Sequence, residues 1–169
     1  MPFQTTRLIL REATFADQQF IFDLLTSPTW LKYIGDRGIS NLEDAKDYIQ
    51  KSLLDSYQKK AYGLWIMEHK ADQQPIGLCG FLKRYYLAHP DIGYSILASY
   101  EGRGLTTEAA TACLQYAKKQ LGFTTVLAIT SNNNLGSQKV LEKIGMKNVG
   151  TIQAPHSDEP LLKFKIDAL

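Results

Sequence analysis

The chain has 169 residues, 44% hydrophobic and 21% charged, with a formal net charge of +2; that suits one domain, residues 1–169, with its own core, and lacks the basic footprint of a nucleic-acid binder. Its two cysteines, Cys79 and Cys113, stand far apart with no CxxC pair or histidine cluster, so no metal site is expected and both read as small core hydrophobes. No run approaches the ~20 apolar residues of a membrane span, and MPFQTTRLILRE lacks a signal peptide's apolar stretch, so a cytoplasmic protein with no membrane partner is expected.

TRLILREA alternates as a first strand. Thr14, with Asp17 three residues on, has the form of a capping box opening a helix with Phe20, Ile21, Leu24 and Leu25 at helical spacing, and Ser27-Pro28 is expected to stop it. A second helix runs from about Asn41 to Lys60, acidic in its first turn and lysine-rich in its last, as the helix dipole prefers. AYGLWIMEHK and IGLCGFLKRYY read as antiparallel strands joined by ADQQP. After a loop at Ala88-His89-Pro90 comes the strand DIGYSIL, then SYEGRGLTTEAA, then a helix with Leu105, Ala109, Ala112, Cys113, Tyr116 and Ala117 on one face, ended by Gly122. FTTVLAIT is a β-branched strand; Asn132 to Asn134 break it; a helix from Leu135 to Ile144 stops at Gly145. MKNVGTIQ and LLKFKIDA close the chain as strands. The order β-α-α-β-β-β-α-β-α-β-β predicts an α/β (α+β) fold, a mixed sheet with helices on its faces.

A strand, a glycine turn and a helix start in succession form an anion site, because the first amides of a helix lack internal partners and carry partial positive charge. Gly102 and Gly104 permit close backbone approach, and Arg103 adds a charged donor. On glycine spacing alone, a plain turn before a Thr-capped helix fits equally well. The stretch lacks the Gly-Lys-Ser/Thr ending of a nucleotide loop and the GxGxxG of a dinucleotide fold.

A further motif follows, NNNLGSQKVLEKIGM. Together, DIGYSILASYEGRGLTTEAATACLQYA, NNNLGSQKVLEKIGMKNVG and the N-terminal TTRLILREATFADQQFIFDLLTSPTWLKYIG resemble the GNAT (Gcn5-related) N-acetyltransferases, most closely the RimJ/RimL-type branch. The resemblance covers nearly the whole chain. It implies the GNAT fold, a mostly antiparallel mixed sheet with a splayed central strand pair and helices on both faces. It implies acetyl-CoA as co-substrate and an acceptor that is a peptide N-terminus or a small-molecule amine; a homodimer is compatible with it. The main chain of Ile96 and Leu97 is implied to contact the pantetheine arm, with an amide near Leu97 serving the oxyanion. Gly102, Arg103, Gly104, Leu105, Thr106 and Thr107 are implied to wrap the diphosphate. The family pattern R/Q-x-x-G-x-G/A falls on Glu101, Gly104 and Thr106; two of the three depart from it, and Glu101 is expected to face solvent.

The resemblance further assigns Asn134 to the coenzyme and Ser137 to the departing thiolate; no tyrosine occurs in this motif to serve as acid instead. As residues, Asn134 also fits a helix N-cap and Gly145 a C-cap. Asp91, just before IGY, is the first candidate for general base, with Glu68 and His89 as alternatives and a turn acid as its plain reading. Tyr94 is a candidate for the acceptor pocket, and Trp30, Tyr33, Trp65, Tyr85 and Tyr86 for its walls, though each is equally an ordinary packing residue. A non-catalytic acyl-CoA-binding module with the same fold is the rival reading.

Overall fold

A computed structural model describes residues 3–169. The first strands, β1 (Phe3–Gln4) and β2 (Leu8–Arg11), form a short hairpin. Asp17 accepts the Thr14 N–H at 2.8 Å, as the capping-box spacing predicts, but the box closes a 3-10 turn, Phe15–Asp17, that leads into α1 (Gln18–Leu25). Ser27-Pro28 ends α1 and also starts a helix that the sequence reading did not contain, α2 (Pro28–Tyr33). The Ser27 hydroxyl accepts from the Trp30 N–H, and proline sits at the first helical position, where its missing donor costs nothing. Asn41 caps α3 (Leu42–Tyr48), which runs through a π-helical turn, Ile49–Leu54, into α4 (Asp55–Lys60).

The centre is β3 (Leu64–His69), β4 (Gln74–Leu82) and β5 (Asp91–Ile96); β4 stops at Leu82, short of the expected Tyr86, so Lys83–Pro90 is a loop. Next come α5 (Leu105–Tyr116), prolonged by a π-helical turn to Leu121 and ended by left-handed Gly122, then β6 (Thr125–Thr130), α6 (Leu135–Lys143), β7 (Lys147–Ile152) and β8 (Leu161–Asp167). On α5 the buried face includes Ala110 and Leu114, whereas Ala112 is only half-buried.

The strands form one sheet in the order β1-β2-β3-β4-β5-β6-β8-β7, antiparallel at every pairing except β5–β6. This is the mixed, mostly antiparallel α/β fold expected. Strand β4 buries side chains of both pleat faces, Ile76 and Leu78 on one and Cys79 and Phe81 on the other, which requires a layer on each side. Helix α5 covers the Cys79 face, where Cys113 Sγ lies 3.6 Å from Cys79 Sγ. Helix α1, with α3 packed against it, covers the other. Burial pushes the Cys113 thiol upward, so this pair packs as neutral hydrophobes with no disulfide.

Candidate active site

Strands β5 and β6 are joined by a single parallel bridge, Asp91 opposite Leu127, with Leu127 N–H donating to the Pro90 carbonyl at 3.0 Å. Beyond that point they part. On its other edge β5 stays paired with β4 along its whole length. Leu97 donates its N–H to the Ile76 carbonyl at 2.8 Å, continuing that ladder. Antiparallel pairing alternates, so the Gly93, Ser95 and Leu97 amides face β4, and those of Tyr94 and Ile96 face the gap. The expected splay is present, with one change: the Leu97 amide is already engaged, and Ile96 and Tyr94 carry the open groups.

Two helix N-termini flank the gap. That of α5 follows a turn in which Gly102 (φ +74°) and Gly104 (φ +75°) are both left-handed, which glycine adopts without Cβ strain. Gly104 is the N-cap and supplies no side chain, so the amides at the start of Leu105, Thr106 and Thr107 have no capping side chain. The turn is braced from below. Arg7 donates from Nη1 to the Arg103 carbonyl (2.9 Å) and from Nε to Glu108 Oε2 (2.7 Å), while Thr5 Oγ1 donates to Glu108 Oε1 (2.5 Å). Burial raises the Glu108 pKa, but the Thr5 and Arg7 donors outweigh it and hold the carboxyl below its ordinary value. The Arg103 guanidinium folds back, donating to the Ser99 carbonyl at 2.9 Å and lying 5.1 Å over the Tyr100 ring. Glu101 is exposed, as expected.

The α6 N-terminus, unlike that of α5, carries a side-chain cap. Asn134 Oδ1 accepts the Ser137 N–H at 3.1 Å, so the asparagine does act as a cap. Tyr94 reaches from β5 to the same serine, its Oη 3.0 Å from the Ser137 carbonyl and 3.1 Å from Ser137 Oγ. Burial raises the Tyr94 phenol, and the bond to Ser137 offsets only part of that, so it stays neutral. Sequence reasoning placed Tyr94 with the acceptor and did not pair it with Ser137.

Asp91 and Tyr94 are three residues apart on a strand and so point to opposite sheet faces. Asp91 is 1% exposed and is no turn acid: Arg84 Nε lies 3.2 Å from Oδ1 and 3.0 Å from Oδ2. Burial raises its pKa to about 6, and Arg84 only partly opposes this. The alternatives fare otherwise. Glu68 is tied to Arg11 at 2.7 Å, in a network with Asp17, and His89 is an exposed loop residue. Of the proposed acceptor walls, Trp65 is core, 2% exposed and packed edge-on to Phe3, Phe81 and Tyr116. Trp30 is buried, its indole N–H unpaired, while Tyr85 stands exposed beside Tyr86. Arg84 was the missed partner; a cation seven residues before an acid on the same hairpin was its only signal.

Among the described residues, no group of three or more His, Cys, Asp or Glu side chains is arranged to hold a metal ion, and no helix is long and apolar enough to cross a membrane.

Residues 7–147 match the family of the acetyltransferase (GNAT) domain. The uncharacterized N-acetyltransferase YnaD of Bacillus subtilis (strain 168) is 31% identical over 151 residues, 89% of this chain and 85% of YnaD. Among solved structures, the ribosomal-protein-S5-alanine acetyltransferase from Vibrio fischeri is similar with a TM-score of 0.82 at 16% identity, over 99% of this chain and 97% of its own. An aminoglycoside acetyltransferase solved in complex with coenzyme A is similar with a TM-score of 0.72 at 19% identity, over 94% of this chain and 93% of its own. At these identities the two structures speak to the fold, which serves acceptors as unlike as those two names.

Proposed function

The chain belongs to the GNAT acetyltransferase family, and on that premise we propose that it moves an acetyl group from acetyl-CoA to a primary amine by direct attack, the acceptor being a peptide N-terminus or a small-molecule amine. The observation that carries this reading is the splay: a sheet opened between two helix starts, one bare and one bearing a serine. The bare amides of Leu105, Thr106 and Thr107 and the glycine turn fit a diphosphate, since the dipole and unpaired N–H groups favour an anion and no side chain fills the place. The coenzyme A in the aminoglycoside enzyme of the same fold supports the choice of anion. The open edge of β5 fits an amide-bearing arm such as pantetheine, which can take up the strand's free donors and acceptors. Asn134, its Oδ1 engaged as a cap, keeps its amide N–H groups for that arm.

The attacking nitrogen must be a free amine. An α-amino group, with an ordinary pKa near 7.7–8.0, loses its proton far more readily than a lysine side chain near 10.4. This favours an α-amine acceptor, in keeping with the RimJ/RimL-type sequence resemblance. Asp91 is assigned as the base, taking the proton through water, because a carboxylate with a pKa of about 6 is ionised at neutral pH yet more basic than an ordinary aspartate. The oxyanion falls to the Ile96 or Tyr94 amide, whose direction is fixed before the reaction. Ser137 Oγ–H is assigned to the leaving sulfur.

The test is thiol release from acetyl-CoA across a panel of peptide N-termini, amino acids, polyamines and aminoglycosides. Turnover with an α-amine, and loss of kcat in Ser137→Ala with acetyl-CoA KM little changed, are expected. Coenzyme A binding without turnover on any amine overturns the transfer reading. A Ser137→Ala variant that raises KM alone moves Ser137 from chemistry to binding.

A further inference from the structure

Ser137 is held far more firmly than a serine in the first turn of a helix needs to be. Such a serine ordinarily caps or points into water. Here three of its polar groups are engaged: the N–H by Asn134 Oδ1 at 3.1 Å, the carbonyl by Tyr94 Oη at 3.0 Å, and the hydroxyl by the same Tyr94 Oη at 3.1 Å. Tyr94 comes from the strand that borders the gap, opposite Cys79 in the β4–β5 ladder, on the face covered by α5. Its ring therefore spans from the sheet to α6, 43 residues on in sequence. A carbonyl oxygen can only accept, so Tyr94 donates its one proton to Ser137 O, and its phenol oxygen is then the acceptor for Ser137 Oγ–H.

We infer that Tyr94 is a positioning residue for the leaving-group side of the reaction, holding the Ser137 hydroxyl at one rotamer at the mouth of the gap. This rests on the assignment of Ser137 to the leaving sulfur. In the free protein the Ser137 proton points at Tyr94. As the C–S bond breaks and its electron pair passes to sulfur, the thiolate becomes the stronger acceptor and Oγ–H turns to it. The Tyr94 proton, within reach of both serine oxygens, then covers the vacated side of Oγ. No proton leaves Tyr94. The phenol is suited to this part because it remains a neutral donor across the working pH range, its ionisation opposed by burial. A leucine or phenylalanine at this place would fill the same space and leave the serine free to rotate away.

The experiment is a double-mutant cycle in the full chain with Tyr94→Phe, Ser137→Ala and the pair together, measuring kcat, acetyl-CoA KM and Tm. Tyr94→Phe is expected to lower kcat about tenfold with KM within about twofold. In the Ser137→Ala background it is expected to cost no further kcat, because the hydroxyl it holds is gone, while its remaining bond to the residue 137 carbonyl is read in Tm. Equal, additive losses in both backgrounds, or a change confined to KM and Tm, overturn the inference while leaving Ser137 in place. An unchanged kcat in Ser137→Ala overturns the assignment of Ser137 and this inference with it. Should Tyr94→Phe fail to fold, 3,5-difluorotyrosine at position 94 keeps the shape with a more acidic phenol. A fall of kcat at alkaline pH where the parent stays flat supports the inference, and a superimposable pH profile overturns it.

Discussion

The two helix starts that flank the gap solve the same problem in opposite ways. Helix α5 begins at Gly104 with no capping side chain, and the order of its first turn is imposed from outside, by Arg7 and Thr5 acting on Glu108 and on the Arg103 carbonyl. Helix α6 begins at Asn134, which caps its own first turn and is joined by Tyr94 from the sheet. Glycine in place of a side-chain cap costs only a few tenths of a kcal/mol, so α5 gives up little by starting bare. What it gains is a set of amides open to a ligand. At α6 the Ser137 amide is capped and its hydroxyl is held in one direction by Tyr94.

That contrast can be broken most severely at Gly104. Gly104→Asp places a carboxylate at the open amides, and acetyl-CoA KM is expected to rise about thirtyfold, roughly 2 kcal/mol, with kcat at saturation nearly kept. The added Cβ meets only Arg7 Nη2, at 3.6 Å, but φ +75° strains any side chain there, so a stability loss of about 1 kcal/mol is expected alongside, which Tm reads and which leaves the chain folded. Next in size is Asp91, where the two flanking strands diverge. Asp91→Asn is expected to lower kcat/KM about tenfold at pH 8 and to abolish an acid limb near pH 6. The pH dependence of stability supplies an independent check. A carboxyl whose pKa is raised from 3.8 to about 6 on folding holds its proton more tightly in the folded state. Relative to Asp91→Asn, the parent should therefore lose stability as pH climbs from 4 to 6 and change little above that. Asn134→Ala removes the α6 cap, with an expected loss of about 1 kcal/mol in urea unfolding and a kcat several-fold lower as Ser137 loosens. Smallest is Arg7→Ala. Arg7 touches the glycine turn only from behind, and a rise in acetyl-CoA KM of about threefold at constant kcat is expected.

Much of this arrangement was legible in the sequence, and what was not has a common cause. Most of the strand and helix order, the Gly104 turn and the Asn134 cap rest on patterns within a few residues of each other, whereas the splay is implied only by the family resemblance, and the Phe3–Gln4 strand and Pro28–Tyr33 helix are not among the expected elements. Arg7 and Glu108 are 101 residues apart, and Tyr94 and Ser137 are 43 apart, and nothing local marks either pair. The Leu97 amide was placed one residue out of phase, because which amides face the gap depends on the hydrogen-bonding parity of the β4–β5 register. Trp65 was offered as a pocket wall for its chemistry, but its place opposite Cys79 puts it under α5. Ser27-Pro28 reads as a stop, yet the same two residues make a good helix start, and only the chain beyond them decides.

A sheet held across its middle by a single rung behaves like a book with one stitch in the spine. One leaf is β1 to β5 and the other is β6, β8 and β7, with Asp91 and Leu127 as the stitch. The angle between the pages is then set largely by whatever is laid between them and by α5, which rests on β4 and β5 of one leaf and meets the other at α6. Amide exchange should show it: without a ligand, Tyr94 and Ile96 should take up deuterium faster than Gly93 and Ser95 beside them, and coenzyme A should erase the difference.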